Sequence, residues 1–159
     1  IIAGTEQKTN ITVRGTTEKN SKLINYKNWE EIMEKIVIST PNAPAAIGPY
    51  AQGIRLGDVV YTSGQLPIDP KTGELVSDDI KKATRQSLEN VKAVLEAGGS
   101  SVGKIVKVLI LLNDINDFAA MNEVYNEFFE GTEYPARSAF EVATLPKNAL
   151  IEIEAVGHI

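Results

Sequence analysis

Two helix-forming segments with one aliphatic segment between them constrain the fold of this chain more than any other feature. Residues 80–95 place apolar side chains on one helical face and charged side chains on the other. Residues 118–128 repeat aromatic and apolar side chains at helical spacing. Residues 105–112, between them, are almost continuously aliphatic, which is typical of a strand buried on both faces. The second half of the chain is therefore predicted to alternate helix, strand and helix.

Capping residues mark the ends of both predicted helices. Ser77 or Asp78 can accept hydrogen bonds from the first turn of the first helix, and two glycines at residues 98–99 end it. Asn116 and Asp117 precede the second helix in the same way. We therefore expect each helix to begin with a side-chain cap.

Five shorter segments have the composition of strands. Gly57 and Asp58, between two of these segments, indicate a tight β-hairpin turn. The five predicted strands cover residues 36–39, 54–56, 59–62, 137–142 and 150–156. The complete order of elements is therefore β-β-β-α-β-α-β-β.

This order predicts an α+β sandwich in which both helices cover one face of a mostly antiparallel sheet. The predicted strands are apolar enough that the other face of the sheet needs a cover as well. Another copy of the chain can provide that cover, so we expect a homo-oligomer.

The chain of 159 residues is predicted to hold one folded domain with a polar extension before it. Residues 1–35 are polar and are predicted to be partly flexible, with a short helix over residues 28–35 that Asn28 caps. Residues 36–159 carry the stronger strand and helix signals and form the predicted domain.

The residue types that the chain lacks narrow its chemistry. It has no cysteine, which excludes disulfides, thiolate metal sites and a cysteine nucleophile. Its one histidine, His158, lies beside the C-terminus, so a zinc site or a Ser-His-Asp triad would have to depend on that single ring. We therefore expect neither a metal nor another cofactor.

Charge and hydropathy argue against two classes of partner. A net charge of −5 gives no overall attraction to nucleic-acid phosphates or anionic membranes, although a local basic patch stays compatible with it. No apolar run approaches the roughly 20 residues that span a bilayer. The N-terminal residues lack the basic and apolar regions of a secretory signal. We expect a cytoplasmic protein, with an organellar location left open.

Charged residues on two predicted strands are candidates for chemistry. Arg137 lies at the start of a strand among small residues, where a rigid guanidinium can hold a carboxylate through two hydrogen bonds. Glu152 and Glu154 alternate with isoleucines, so both carboxylates point to one face and could supply acid–base chemistry. An exposed strand arginine and a solvated strand face explain the same patterns, and the patterns alone favour those simpler interpretations.

Two loops are further candidates for a binding site. Residues 45–50 carry no charge and end in the hydroxyl of Tyr50. Residues 62–65 end a strand in small polar residues, including Ser63 and Gly64, which lets backbone N–H groups approach a ligand closely. Turn formation alone explains both loops equally well.

Five stretches of the chain resemble the RidA/YjgF family of reactive-intermediate deaminases in sequence, order and spacing. The resemblance extends from about Ile38 to Val156. The matching stretches are residues 42–50 (NAPAAIGPY), 62–65 (TSGQ), 83–91 (ATRQSLENV), 134–138 (YPARS) and 151–155 (IEIEA). Five blocks in the same order make the resemblance highly specific.

The resemblance implies a chorismate-mutase-like fold assembled as a homotrimer, with three active sites in the clefts between subunits. It implies that Arg137 holds the substrate carboxylate and that Glu152 positions or activates the attacking water. By the same matching, the pocket would be lined by Tyr50, Ser63, Gly64 and Asn122.

One pocket position departs from the family pattern. Family members often have cysteine two residues after this arginine, whereas this chain has Ala139. A mechanism that needs that thiol is impossible in this chain, so we expect Ala139 to contribute only its backbone polar groups to substrate binding.

The function implied by the resemblance is hydrolysis of 2-imino acids and their enamine tautomers, such as 2-iminopropionate and 2-aminoacrylate, to 2-oxo acids and ammonia. A protonated imine carbon is already electrophilic, so the protein needs to supply only an oriented water and a fixed carboxylate. Two alternatives stay open. One is an RNA-binding or RNA-cleaving translation inhibitor, which the acidic composition disfavours. The other is a regulator that binds small metabolites without turnover.

Overall fold

In the computed structural model, which describes residues 34–159, six strands form one sheet and two helices pack on one of its faces. The strands are β1 Lys35–Ile38, β2 Gly53–Leu56, β3 Val59–Thr62, β4 Ile105–Leu112, β5 Ala136–Glu141 and β6 Ile151–His158, and the helices are α1 Ile80–Ala97 and α2 Phe118–Phe128. Within the described residues, the predicted order of strands and helices is confirmed. Strand ends differ from the prediction by one or two residues.

The sheet has the strand order β1-β2-β3-β6-β4-β5. Neighbouring strands are antiparallel except β4 and β5, which are parallel. A parallel pair needs a long crossover connection, and α2 provides it between β4 and β5. This crossover brings side chains of α2 into contact with Arg137 of β5.

The hydrophobic core lies between the sheet and the two helices. Ile151 and Ile153 of β6 are fully buried in it, together with Leu88 of α1. Because side chains alternate along a strand, Glu152 and Glu154 lie on the opposite face of the sheet, which no helix of the described chain covers. The prediction that both carboxylates share one face is confirmed.

The cap of α1 differs from the prediction. Neither Ser77 nor Asp78 occupies the cap position, which belongs to Asp79: its carboxylate accepts hydrogen bonds from the backbone N–H groups of Lys81 at 2.7 Å and Lys82 at 3.1 Å. Asp78 instead forms an ion pair with the Lys82 side chain at 2.9 Å. Two adjacent aspartates offer the same chemistry, and the extended backbone of Asp79 decides which one serves as the cap.

The start of α2 differs as well. Asp117 precedes the helix, but its side chain makes no capping hydrogen bond. A 3₁₀ turn, Ile115–Asp117, runs directly into α2, and its own cap is Asp114, whose carboxylate accepts a hydrogen bond from the N–H of Asn116 at 2.9 Å. The extra turn moves the capping position upstream of the predicted residues, Asn116 and Asp117.

The prediction that β4 is buried on both faces is wrong within this chain. Val108 and Ile110 are buried beneath the helices, but Val106 is 49% exposed, and Lys107 is exposed as well. Both helices lie on one face, so the aliphatic side chains of β4 on the other face have no cover from the described residues.

The predicted helix over residues 28–35 lies almost wholly outside the described residues. Its last residue, Lys35, belongs instead to β1, where it pairs with Leu56 of β2. The division into an extension and a domain stays a prediction. Among the described helices, neither is long and apolar enough to cross a membrane.

Candidate active site

Arg137 lies on β5 beneath α2, and two residues of that helix hold its guanidinium. Its Nη1 donates a hydrogen bond of 2.7 Å to Oδ1 of Asn122. Its Cζ lies 4.5 Å from the centre of the Tyr125 ring and 5.6 Å from the centre of the Phe118 ring. Asn122 and Tyr125 are three residues apart on one helical face, so the two contacts form together once α2 crosses over β5.

A cavity of about 570 Å³ opens beside this guanidinium. Its rim is closed by a hydrogen bond from the hydroxyl of Tyr134 to the side chain of Asn126. The cavity is lined by Asn122, Tyr125, Asn126, Tyr134, Pro135 and Arg137. A cation, an amide and aromatic rings in one cavity suit a small carboxylate ligand.

Glu152 lies on β6, and its carboxyl group packs directly against Gly64. A Cβ atom at residue 64 would lie 1.8 Å from Oε1 of Glu152, so glycine leaves open the space that this carboxyl group occupies. The next residue fixes the loop on the strand: the N–H of Gln65 donates to the carbonyl of Ile153 at 2.8 Å, and the reverse bond is 3.2 Å. Backbone bonds to β6 therefore fix the loop against which the carboxyl group packs.

Burial raises the pKa of the Glu152 carboxyl, and the negative charge of Glu154 raises it further. Both causes disfavour the ionised form, because one removes water from the carboxylate and the other adds a like charge. Once ionised, such a carboxylate is a stronger base than an ordinary glutamate. This is the property that a group activating water needs.

Tyr50 and Gly64 share a second cavity, of about 310 Å³. Apolar side chains form much of its wall, including Ile47, Leu66 and Ile68. Ser63 precedes Gly64, and its hydroxyl donates a hydrogen bond of 2.6 Å to the carbonyl of Ala51. In this chain Ser63 therefore ties the loop to the segment that precedes β2, and its hydroxyl proton is already engaged.

The predicted site residues form two groups on opposite faces of the sheet. In the sheet register, Arg137 pairs with Val108 and Glu152 pairs with Leu111, three positions further along β4, so their side chains point in opposite directions. Their strands, β5 and β6, flank β4 and so lie about 10 Å apart. One group holds Arg137, Asn122 and Ala139, and the other holds Glu152, Gly64, Ser63 and Tyr50.

Ala139 belongs to the first group by register. It pairs with Ile110 of β4, two residues beyond Arg137 on the same face. Its methyl group is half-buried and packs against the core. The position is therefore close to Arg137 along the strand, and its side chain offers no reactive atom.

The chain is similar to proteins of a known family. The family model described as "Endoribonuclease L-PSP" matches residues 40–159. A protein of Salmonella typhimurium named 2-iminobutanoate/2-iminopropanoate deaminase is 57% identical over 122 residues, which are 76% of this chain and 94% of that protein. The chain belongs to the RidA/YjgF family.

Two further relatives agree with this assignment. A RutC family protein of Pyrococcus horikoshii is 58% identical over 124 residues, which cover 78% of this chain and 98% of that protein. The crystal structure of Escherichia coli TdcF with bound serine has a TM-score of 0.76 and 50% identity, covering 78% of this chain and 98% of that one. The α+β fold expected from the RidA/YjgF resemblance is thereby shown.

The sequence reasoning missed Tyr125 as a site residue. The helical spacing of Tyr125 predicts a core side chain, and the residue is 5% exposed. The same ring also packs against the guanidinium of Arg137. Asn122 was identified only through the family resemblance. The sequence pattern predicts neither the contact of Tyr125 with Arg137 nor that of Asn122 with Arg137, because both depend on how α2 packs against β5.

No group of three or more aspartate, glutamate or histidine side chains in the described part of the chain could hold a metal ion. His158 is exposed at the end of β6, and Nδ1 of its ring lies 3.2 Å from the carbonyl oxygen of Ile159. Glu152 and Glu154 are only two carboxylates on one strand face, fewer than such a group needs.

Proposed function

We propose that this chain is a cofactor-independent deaminase that hydrolyses 2-imino acids and their enamine tautomers to 2-oxo acids and ammonia. The observation that carries the proposal is the 57% identity, over 94% of its length, to a relative named 2-iminobutanoate/2-iminopropanoate deaminase. The two residue groups supply the chemistry that this reaction requires: a cation for the substrate carboxylate and a basic carboxyl group for water.

Arg137 anchors the substrate. Asn122 engages one of its N–H groups, and the remaining N–H groups are sufficient for a two-point contact with a carboxylate. The aromatic rings of Tyr125 and Phe118 limit the water around the guanidinium, which strengthens its attraction for an anion. The imine carbon next to that carboxylate is thereby held at a fixed position.

Glu152 directs the attacking water. Its carboxylate accepts a proton as the water oxygen bonds to the imine carbon, giving a tetrahedral carbon that carries both a hydroxyl and an amino group. The starting imine is protonated, so the nitrogen of this intermediate is an amino group. The proton on Glu152 then passes to that nitrogen, and the carbon–nitrogen bond breaks as the hydroxyl oxygen forms the carbonyl. The hydroxyl proton leaves with ammonia as ammonium. One water is consumed for each imino acid, and Glu152 returns to its starting state.

The separation of the two groups supports a site between subunits. Arg137 and Glu152 lie on opposite faces of one sheet, so an imino acid of three or four carbon atoms cannot contact both within one chain. The open face also exposes apolar side chains, including Val37 at 63% and Phe140 at 57%. A cyclic homotrimer would bury this face and bring Arg137 of one subunit to Glu152 of the next.

The direct test is ammonia release from freshly generated 2-iminopropionate. The wild-type chain should accelerate release, and Glu152→Gln should lower kcat by about 10²–10⁴-fold, the usual contribution of a general base. Glu154→Gln is the matched control, since it removes a carboxylate from the same strand face and should change kcat far less.

A ribonuclease assay and a binding assay run beside it separate the alternatives. RNA cleavage without imine hydrolysis would support the translation-inhibitor interpretation. Binding of 2-oxo acids without turnover would support the metabolite-binding regulator. If Glu154→Gln proved the more damaging change, the assignment of the catalytic carboxylate to Glu152 would be wrong.

A further inference from the structure

We propose that Tyr125 is a positioning residue for this reaction. The face of its ring, and not its hydroxyl, holds the guanidinium of Arg137 in the orientation that grips the substrate carboxylate. This inference rests on the proposed role of Arg137 as the substrate anchor, and it adds a residue that determines how well the anchor works.

The contacts of Arg137 show what constrains it. The Tyr125 ring centre lies 4.5 Å from Cζ, closer than the Phe118 ring at 5.6 Å, and Tyr125 is 5% exposed. Asn122 accepts a hydrogen bond from Nη1 at 2.7 Å. The Tyr125 ring therefore restricts movement of the guanidinium perpendicular to its plane, and the hydrogen bond to Asn122 restricts its rotation within that plane.

The aromatic ring is itself fixed. Its centre lies 4.6 Å from that of Phe129, a side chain that is 1% exposed in the core. A ring wedged between the core and a cation cannot turn away from the cation. An arginine side chain otherwise samples many rotamers, so this contact reduces the entropy that substrate binding must remove.

The hydroxyl of Tyr125 contributes nothing visible to this arrangement. It is buried, and within residues 34–159 it has no hydrogen-bond partner. Burial raises the pKa of this hydroxyl to about 12, and the nearby charge of Arg137 opposes that rise only in part. The group therefore stays protonated and neutral at any ordinary working pH, which is unsuitable for a proton-transfer role.

The expected kinetic signature is a rise in KM with little change in kcat. The carboxylate held by Arg137 is not the reacting centre, so a weaker grip affects substrate and transition state almost equally. Cation–π attraction of the partly buried kind predicts that Tyr125→Leu raises KM about 3- to 30-fold. Tyr125→Phe keeps the ring, so its KM should stay close to the wild-type value. Its Tm should rise, because the unpaired buried hydroxyl is removed.

Phe129→Leu is the matched control. It removes a buried aromatic ring from the same cluster, and the rings recorded over Arg137 are those of Tyr125 and Phe118. Loss of core packing should lower Tm in both leucine variants. Leucine at residue 129 should still pack behind the Tyr125 ring, so KM should rise far less in Phe129→Leu than in Tyr125→Leu. If both variants raised KM equally, Tyr125 would have only a structural role.

A second series keeps the test decisive if Tyr125→Leu does not fold. In this series, Tyr125→Phe is compared with variants that carry phenylalanine with one or more ring fluorines at the same position. Each fluorine reduces the negative charge on the face of the ring with little change in its shape. KM should rise with each added fluorine, and a constant KM across the series would overturn the inference. Arg137→Ala is measured in parallel. If its kcat/KM equals that of the wild type, the proposed anchor itself is wrong. If its kcat/KM falls while KM stays constant across the fluorinated series, only the role of Tyr125 is rejected.

Discussion

The helix-covered face and the open face of the sheet treat their charged residues in opposite ways. On the covered face, neutral groups contact the guanidinium of Arg137. The amide of Asn122 accepts a hydrogen bond from it, and the ring of Tyr125 lies against it. On the open face, Glu152 is partly desolvated and lies on the same strand face as the like charge of Glu154, so its pKa is raised. One face stabilises a permanent cation, and the other destabilises an anion.

This difference assigns different tasks to the two faces. A cation held by neutral groups keeps its charge available for an external anion, which is what substrate binding requires. A carboxylate made unfavourable by its surroundings gains by accepting a proton, which is what activation of water requires. In the proposed mechanism neither face is sufficient alone, and the proposed trimer brings the two together.

Removal of the cation should have the largest effect. Arg137→Ala should lower kcat/KM for imine hydrolysis by about 10²–10⁴-fold, because the substrate carboxylate loses a charged, two-point partner. Arg137→Lys should recover only a small part of this loss, because an ammonium group lacks the planar fork of a guanidinium. Circular dichroism and light scattering should show an unchanged fold and oligomer, and near-normal turnover in Arg137→Ala would refute its role.

Crowding the carboxylate should have the next largest effect. In Gly64→Ala the added methyl group would overlap Oε1 of Glu152, so the carboxyl group must move, and a displacement near 1 Å lowers kcat by about 10²-fold. Gly103→Ala is the control, because its new Cβ would lie 3.7 Å from Thr132, an ordinary contact. Steady-state kinetics that found both variants equally active would argue against a fixed Glu152.

The pH dependence of kcat should show a smaller effect. In the proposed mechanism Glu152 works in its ionised form, so kcat should fall as the pH drops through its pKa, which lies above the ordinary value of 4.5. Glu154→Gln removes the second cause of the raised pKa, so the acidic limb should move to lower pH while kcat at neutral pH stays nearly the same. If the acidic limb of the pH profile stayed at the same pH, the charge of Glu154 would have no effect on the pKa of Glu152.

Thiol reagents should have the smallest effect. The chain has no cysteine and carries Ala139 on the Arg137 face, so alkylation should leave its activity unchanged. Ala139→Cys should stay active and become sensitive to alkylation, since bulk would be added beside the substrate anchor. Insensitivity of that variant would place residue 139 outside the pocket.

The sequence predicted those parts of the fold that depend on periodicity. The alternation of residues 151–155 placed Glu152 and Glu154 on one face, and the structure agrees. It could not choose Asp79 over Asp78 as the cap of α1, because both carry the same group and only backbone conformation separates them. The sequence did not predict that Val106 is exposed in this chain. An aliphatic strand has the same composition whether its own chain or another subunit buries it.

The candidate site was less accessible to sequence reasoning. Arg137 and Glu152 looked like ordinary surface residues until the family resemblance singled them out. The contact of Tyr125 with Arg137 joins residues 12 positions apart through a helix–strand crossover, and the spacing of side chains along one element does not encode such a contact. The placement of the two charged groups on opposite faces emerged only from the register of β4 with both of its neighbours.

Mixed assembly of two inactive variants tests most directly the claim that the two faces meet between subunits. Arg137→Ala and Glu152→Gln chains are expressed separately, mixed in equal amounts, unfolded and refolded together, and assayed for ammonia release from 2-iminopropionate.

If each site takes Arg137 from one subunit and Glu152 from its neighbour, random mixing in a cyclic trimer restores about a quarter of the wild-type activity per site. Each variant refolded alone should stay inactive. A mixture that forms the wild-type oligomer but stays as inactive as its components would contradict the account, since it would mean that both residues act within one chain.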